Sequence, residues 1–227
     1  MSDTVITVRG RFEAHHPPER ATVRLTVGHE GPDKGQVYAA TAEGANRLAG
    51  QIRPLVDPTG HGPATWWSAG RLATWAHRPW NTEGRQLPLV FHARVEMTVK
   101  FRDFDALARF VDSVGSAPGV AVTDIDWALT EDRRLTLERE ARRRAVEDAR
   151  ARAGDYAEAA GLAEVEVVAV ADAGMLGDPT GGGPGPVGGV AFARTASAPA
   201  GGGAEAAPLQ PEDITVTATV DARFHAR

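Results

Sequence analysis

Residues 212–226 set Ile214, Val216, Ala218, Val220, Ala222 and Phe224 on one parity and Asp213, Thr215, Thr217, Thr219, Asp221, Arg223 and His225 on the other. A strand sends successive side chains to opposite faces, so this period of two marks a strand with one buried face. The run Leu87, Leu89, Phe91, Ala93, Val95, Met97, Val99, Phe101 repeats it at greater length, against His92, Arg94, Glu96, Thr98, Lys100 and Arg102. Ala21, Val23, Leu25, Val27 and Ile6, Val8, Phe12 do the same near the N-terminus. One-faced strands belong to antiparallel sheets with a single wet side. The greasy faces must be covered, and the rest of the chain is read for what covers them.

Strands are expected over about 4–13, 20–30, 87–102, 119–129, 164–171 and 212–226, with an irregular strand within 64–80. In 119–129, Ala121, Ile125, Trp127 and Leu129 share one face. His15-His16-Pro17-Pro18 reads as a turn, because proline cannot extend a ladder. Helices are expected at about 34–53, 104–115 and 131–160. Asp103 and Thr130 stand as N-caps of the second and third, and Glu131 and Asp132 lie where the helix dipole favours acids. Residues 174–210 are rich in Gly, Pro and Ala and read as a flexible excursion between two strands. The fold class is α+β: antiparallel sheet, or sheets, with helices packed on one face. The 227-residue chain reads as one domain over 1–227 with an option of two sub-halves, its core being about 1–60 plus 87–227.

The third helix carries an i, i+4 ridge of Ala141, Ala145, Ala149, Ala153 and Ala157, small enough to lie close on a sheet. Arginines crowd around it. An arginine run can line a phosphate or RNA groove, but eight acids balance the eight arginines over 131–161. Glu138–Arg142, Glu140–Arg144 and Asp148–Arg152 fall at i, i+4, as on a solvated face. The chain's net charge of −5 likewise opposes general nucleic-acid binding. No stretch approaches the roughly 20 apolar residues of a membrane span. Met1-Ser2-Asp3-Thr4 leads straight into a strand with no signal-like segment, which points to the cytoplasm, though a trimmed exported form would read the same.

The residues assemble no catalytic set. The absence of cysteine excludes disulfides, thiolate metal sites and a cysteine nucleophile. Gly183-Pro184-Gly185-Pro186-Val187-Gly188 matches a dinucleotide-loop pattern but lacks the strand and helix that would make it work, so no cofactor is expected. Of seven histidines, none pairs with another at helical spacing and no carboxylate cluster completes a zinc set, so no metal is expected. His92 and His225 lie on polar strand faces, in solvated or cross-strand roles. The one functional lead is the aromatic stretch Trp66, Trp67, Trp75 and Trp80 with Arg71 and Arg78. Its plainer reading is a satellite core under a sheet edge. Its functional one is an interface or ligand surface, since tryptophan and arginine are enriched at interface hot spots.

Three blocks resemble the SIMPL-domain family, which includes bacterial periplasmic and outer-membrane immunogenic proteins and a kinase-associated animal protein. They are Ile6-Thr7-Val8-Arg9-Gly10 with Pro18-Glu19-Arg20-Ala21-Thr22-Val23; Phe91-His92-Ala93 with Val99-Lys100-Phe101-Arg102-Asp103-Phe104; and Glu140-Ala141, Ala145, Asp148-Ala149-Arg150, Ala153, Tyr156-Ala157, Ala160-Gly161-Leu162, followed by Ile214–Phe224. The chain departs from the family in lacking an export signal, in Val90-Phe91 before the long strand, and in the tryptophan stretch. The resemblance implies an α+β fold, a tendency to form homo-oligomers, and no catalytic residues. The expectation is a non-enzymatic, self-associating scaffold or interaction protein, with another protein partner open. The alternative is a small-molecule or peptide binding module using the Trp66–Trp80 strand.

Overall fold

A computed structural model describes residues 4–57, 59–82, 86–176, 191–194 and 209–227. In chain order these form strands β1 (Thr4–His16) and β2 (Arg20–Gly31), helix α1 (Lys34–Ile52), strands β3 (Ala64–Ala69), β4 (Ala73–His77) and β5 (Val90–Phe101), helix α2 (Phe104–Gly115), strand β6 (Val120–Ala128), helix α3 (Glu131–Ala159), and strands β7 (Val165–Asp172), β8 (Ala191–Arg194) and β9 (Ile214–Ala226). The fold is α+β, with two antiparallel sheets, as the alternation predicts. The chain packs as two compact units: β1, α3, β7, β8 and β9 in one, β2 to β6 with α1 and α2 in the other.

In the first unit β9 is the central strand, paired with β1 along one side and with β7 and β8 along the other. Val216, Ala218, Val220, Ala222 and Phe224 are buried with Ala141, Ala145, Ala149 and Ala153 of α3. The helix can come this close because both sides of the contact are small. A Cβ placed on Gly10 of β1 would lie 1.9 Å from the Ala145 carbonyl oxygen and 2.7 Å from Ala149 Cβ. The solvated side of α3 is laced by Arg142–Glu138 at 3.5 Å, Arg152–Asp148 at 2.9 Å and Arg144–Glu147 at 3.4 Å. Arg144 thus takes Glu147 rather than the expected Glu140, which meets Arg143 at 3.8 Å. On the opposite face of the sheet Arg9 Nε donates to Asp221 Oδ1 at 2.6 Å, and the Gly174 backbone N–H donates to Oδ2 at 2.6 Å. The Arg9 guanidinium therefore holds the Asp221 carboxyl below its ordinary value, with Gly174 assisting and burial opposing.

The second unit orders its strands β3–β5–β2–β6, with β4 also on β5. Ala21, Val23, Leu25, Val27, Val95, Met97, Val99 and Phe101 are buried on the face covered by α1 and α2. Asp103 caps α2 by accepting from Ala106 N at 2.9 Å, and Thr130 caps α3 by accepting from Arg133 N at 3.4 Å. Asp33 does the same for α1.

Tertiary pairing revises several sequence boundaries. His15 and His16 are strand, not turn, because β9 pairs with β1 as far as His16 opposite Ile214. Pro17, which has no N–H, follows directly. The long strand starts at Val90 rather than near 87, where its partner β4 ends at His77. In β6 the register shifts so that Arg24 faces Asp124 but Leu25 faces Val122. Thr123 is the extra residue of this β-bulge, and the slip moves Ala121 off the face it was expected to share with Ile125 and Trp127. Within the span read as an excursion, β8 pairs with β9. The Gly183–Gly188 motif lies outside the described residues.

Ala149→Glu forces a carboxylate against Gly10 and costs several kcal/mol, about the penalty for an unpaired buried charge, whereas the exposed Arg150→Glu stays within about 0.5 kcal/mol. Thermal unfolding of the two variants checks this. Because Asp221 has a depressed folded value, its contribution is full above the ordinary carboxylate value of 3.8 and fades as pH falls through the lower folded one. Asp221→Asn should lose roughly 1 kcal/mol at neutral pH, a charge-assisted bond discounted for the half-exposed Arg9, and should be less acid-sensitive below about pH 4. Denaturant melts from pH 2 to pH 7 test both points.

Candidate functional site

The irregular tryptophan strand resolves into β3 and β4, which lie in line along one side of β5. β3 pairs with residues 97–101 and β4 with residues 90–94, with Gly70 N bonding Glu96 O at 2.8 Å in the break. Register then assigns faces. Trp66 stands opposite Lys100 on the outer face, away from the helices, and Trp67 opposite the buried Val99 on the helix side. Trp75 stands opposite His92, also on the outer face. Trp66, Trp75 and Trp80 are 50%, 49% and 85% exposed, so these three are not satellite core. Trp66 and Trp75 oppose positions eight residues apart on β5, roughly 26 Å along a strand, and cannot serve one small ligand together. Arg78 donates to Leu87 O at 2.8 Å, tying the connection between β4 and β5. Arg71 is exposed in the break between β3 and β4.

Around Trp75 the sheet builds a denser arrangement. Trp75 of β4, His92 of β5 and Glu30 of β2 form one cross-strand row. The Trp75 and His92 rings are parallel to within 7°, with centroids 5.1 Å apart. Glu30 Oε2 lies 3.3 Å from His92 Nδ1. His77, two residues along β4 and on the same face, brings its Nδ1 to 2.8 Å from His92 Nε2. The four side chains make a chain of contacts from carboxylate to imidazole to imidazole, flanked by an indole. His92 is the hub, its side chain only 14% exposed although it stands on the wet face.

Beside this row runs a shallow groove of about 480 Å³, lined by Thr26, Glu30, Trp75, His92 and Arg94 and by Gly119–Ala121 at the start of β6. Gly119 has φ +74°, a region disfavoured for other residues, and a Cβ there would lie 2.5 Å from the His29 ring. His29 in turn meets Thr41 Oγ1 at 3.3 Å, and Thr41 donates to Val37 O at 2.9 Å. A second groove, about 490 Å³, opens by the start of α2 and includes His61, Arg102 and Arg109. There Arg102 is engaged by Gly60 O at 2.6 Å.

Of the six sequence candidates, only Trp75 belongs to this row. His77, His92 and Glu30 were not gathered by sequence reasoning, although the cross-strand role expected of His92 is the one it has. The signal that would have joined them is the register of β4 and β2 against β5. Two histidines fifteen residues apart meet only if the intervening connection brings β4 back antiparallel.

Residues 6–224 match the family model SIMPL, described as a protein of unknown function (DUF541). No curated protein matches the chain.

Removing the hub should be felt locally. His92→Ala is expected to lose about 1 kcal/mol, the scale of one stacked aromatic pair, and to leave the fold intact. Acrylamide should then quench tryptophan emission more efficiently than in the parent, and Trp75→Phe should abolish that difference.

Proposed function

The chain belongs to the SIMPL family, and on that premise we propose that it works by self-association, as a non-enzymatic homo-oligomeric scaffold whose output is a multi-copy surface. The observation that carries this reading is the state of β7. Helix α3 packs chiefly over β1 and β9. Val167 and Val170 of β7 stand opposite the buried Phe224 and Ala222, hence on the helix side of the sheet. They remain 50% and 46% exposed, and Val168, the extra residue at the bulge, is 47% exposed. Three half-bare valines on an edge strand are a liability in isolation, since an open edge is a template for pairing. Covering them in an assembly recovers roughly 1 kcal/mol each.

The test is mass in solution. Light scattering at micromolar concentration should give a multiple of the 24.0 kDa chain, and Val167→Glu with Val170→Glu should lower it to a single chain with the circular dichroism unchanged. A strictly monomeric parent sinks the proposal.

The exposed Trp75 beside its groove favours a second reading, a module that binds a small molecule or peptide there. On this reading Trp75→Ala stays folded and loses the ligand, while Trp67→Ala, on the helix side, costs stability instead.

A further inference from the structure

We propose that His77 and His92 form a two-nitrogen chelate for a tetragonal transition-metal ion, Cu(II) or Ni(II), on the outer face of the five-stranded sheet. His77 Nδ1 and His92 Nε2 are 2.8 Å apart. With metal–nitrogen bonds of about 2.0 Å, two ligands at a right angle sit about 2.8 Å apart, whereas a tetrahedral angle sets them about 3.3 Å apart. A hydrogen bond holds the pair at that spacing, and the same spacing fits adjacent corners of a square, so an ion of tetragonal preference, Cu(II) or Ni(II), can take the bond's place with little movement.

The surroundings suit the role. Glu30 Oε2 lies against Nδ1 of His92, the nitrogen that faces away from His77. A carboxylate there keeps the hydrogen on Nδ1 and the lone pair on Nε2, as outer-shell carboxylates do for metal-bound imidazoles. The Trp75 ring lies parallel to the His92 ring and restrains its plane. His77 is exposed on a five-residue edge strand, so its ring can turn toward an incoming ion from the solvent side. Without metal, His77 Nδ1–H donates to His92 Nε2. On binding, that hydrogen moves to His77 Nε2, and the Nδ1 lone pair turns to the ion. Among the described residues no three or more ligating side chains close a cage, so water completes the coordination and the ion stays exchangeable.

The experiment uses the untagged full chain and CuCl2. Trp75 is stacked on a metal ligand, so the paramagnetic ion should quench its emission saturably at one equivalent, with an axial electron paramagnetic resonance signal showing nitrogen hyperfine structure. His77→Asn and His92→Ala, each folded by circular dichroism, should weaken binding at least tenfold. Glu30→Gln should weaken it roughly tenfold, the scale of an outer-shell change. Trp75→Phe should lose the saturable quenching but keep the resonance signal. ZnCl2 should compete poorly. Absence of saturable binding, or binding unaltered by both histidine substitutions (as it would be for an ion held at His15–His16), overturns the proposal.

Discussion

Helix α3 approaches strand β1 until the backbones nearly touch, and the first unit depends on that approach. A one-faced sheet is stable only if its apolar side is roofed, and dispersion contacts fall away within an ångström of the optimum. Alanines at 141, 145, 149 and 153 bring little apolar area of their own. What they supply is proximity: with Gly10 opposite, the helix lies low enough for Val216, Val220 and Phe224 to fill the layer between. The arrangement leaves no room for a methyl at position 10. It also limits how far the roof extends, since a single helix over β1 and β9 leaves the β7 valines bare.

The second unit solves the same problem with larger pieces. Phe101 meets Phe110 with ring centroids 5.4 Å apart, and Phe104 meets Trp127 edge-on at 5.1 Å. Two helices share the cover, and its bulk lets the chemistry move to the other face. There the jog at Gly70 divides the edge strand into β3 and β4. Each half presents one tryptophan outward, and only the second meets histidines. The Trp75–His92–Glu30 row follows from ordinary antiparallel register. Its polar groups are few but mutually satisfied, which lets an imidazole sit nearly buried on a solvated face.

The proposed scaffold and the proposed chelate are different kinds of output, but both readings rest on places where the sheets are incompletely covered. At β7 the uncovered surface is apolar and suits a second copy. At β4 it is aromatic and basic, and suits a ligand small enough to lie on a strand face. Neither surface uses the arginine-rich flank of α3, where Arg134, Arg142, Arg143, Arg144 and Arg152 pair with acids about one turn away.

The sequence by itself determined the period of each strand, the alanine ridge, the caps Asp103 and Thr130 and the α+β class, because these depend on residues within a few positions of one another and on the 2.0 and 3.6 periodicities. It marked the tryptophan stretch as functional ground without separating Trp67, on the helix side, from Trp75. Only tertiary structure decided what stands beside what. The extension of β1 to His16, the slip at Thr123, the pairing of β8 and the meeting of His77 with His92 all rest on contacts between distant residues. One inserted residue at a bulge reverses every face beyond it, and no local pattern records where that insertion falls.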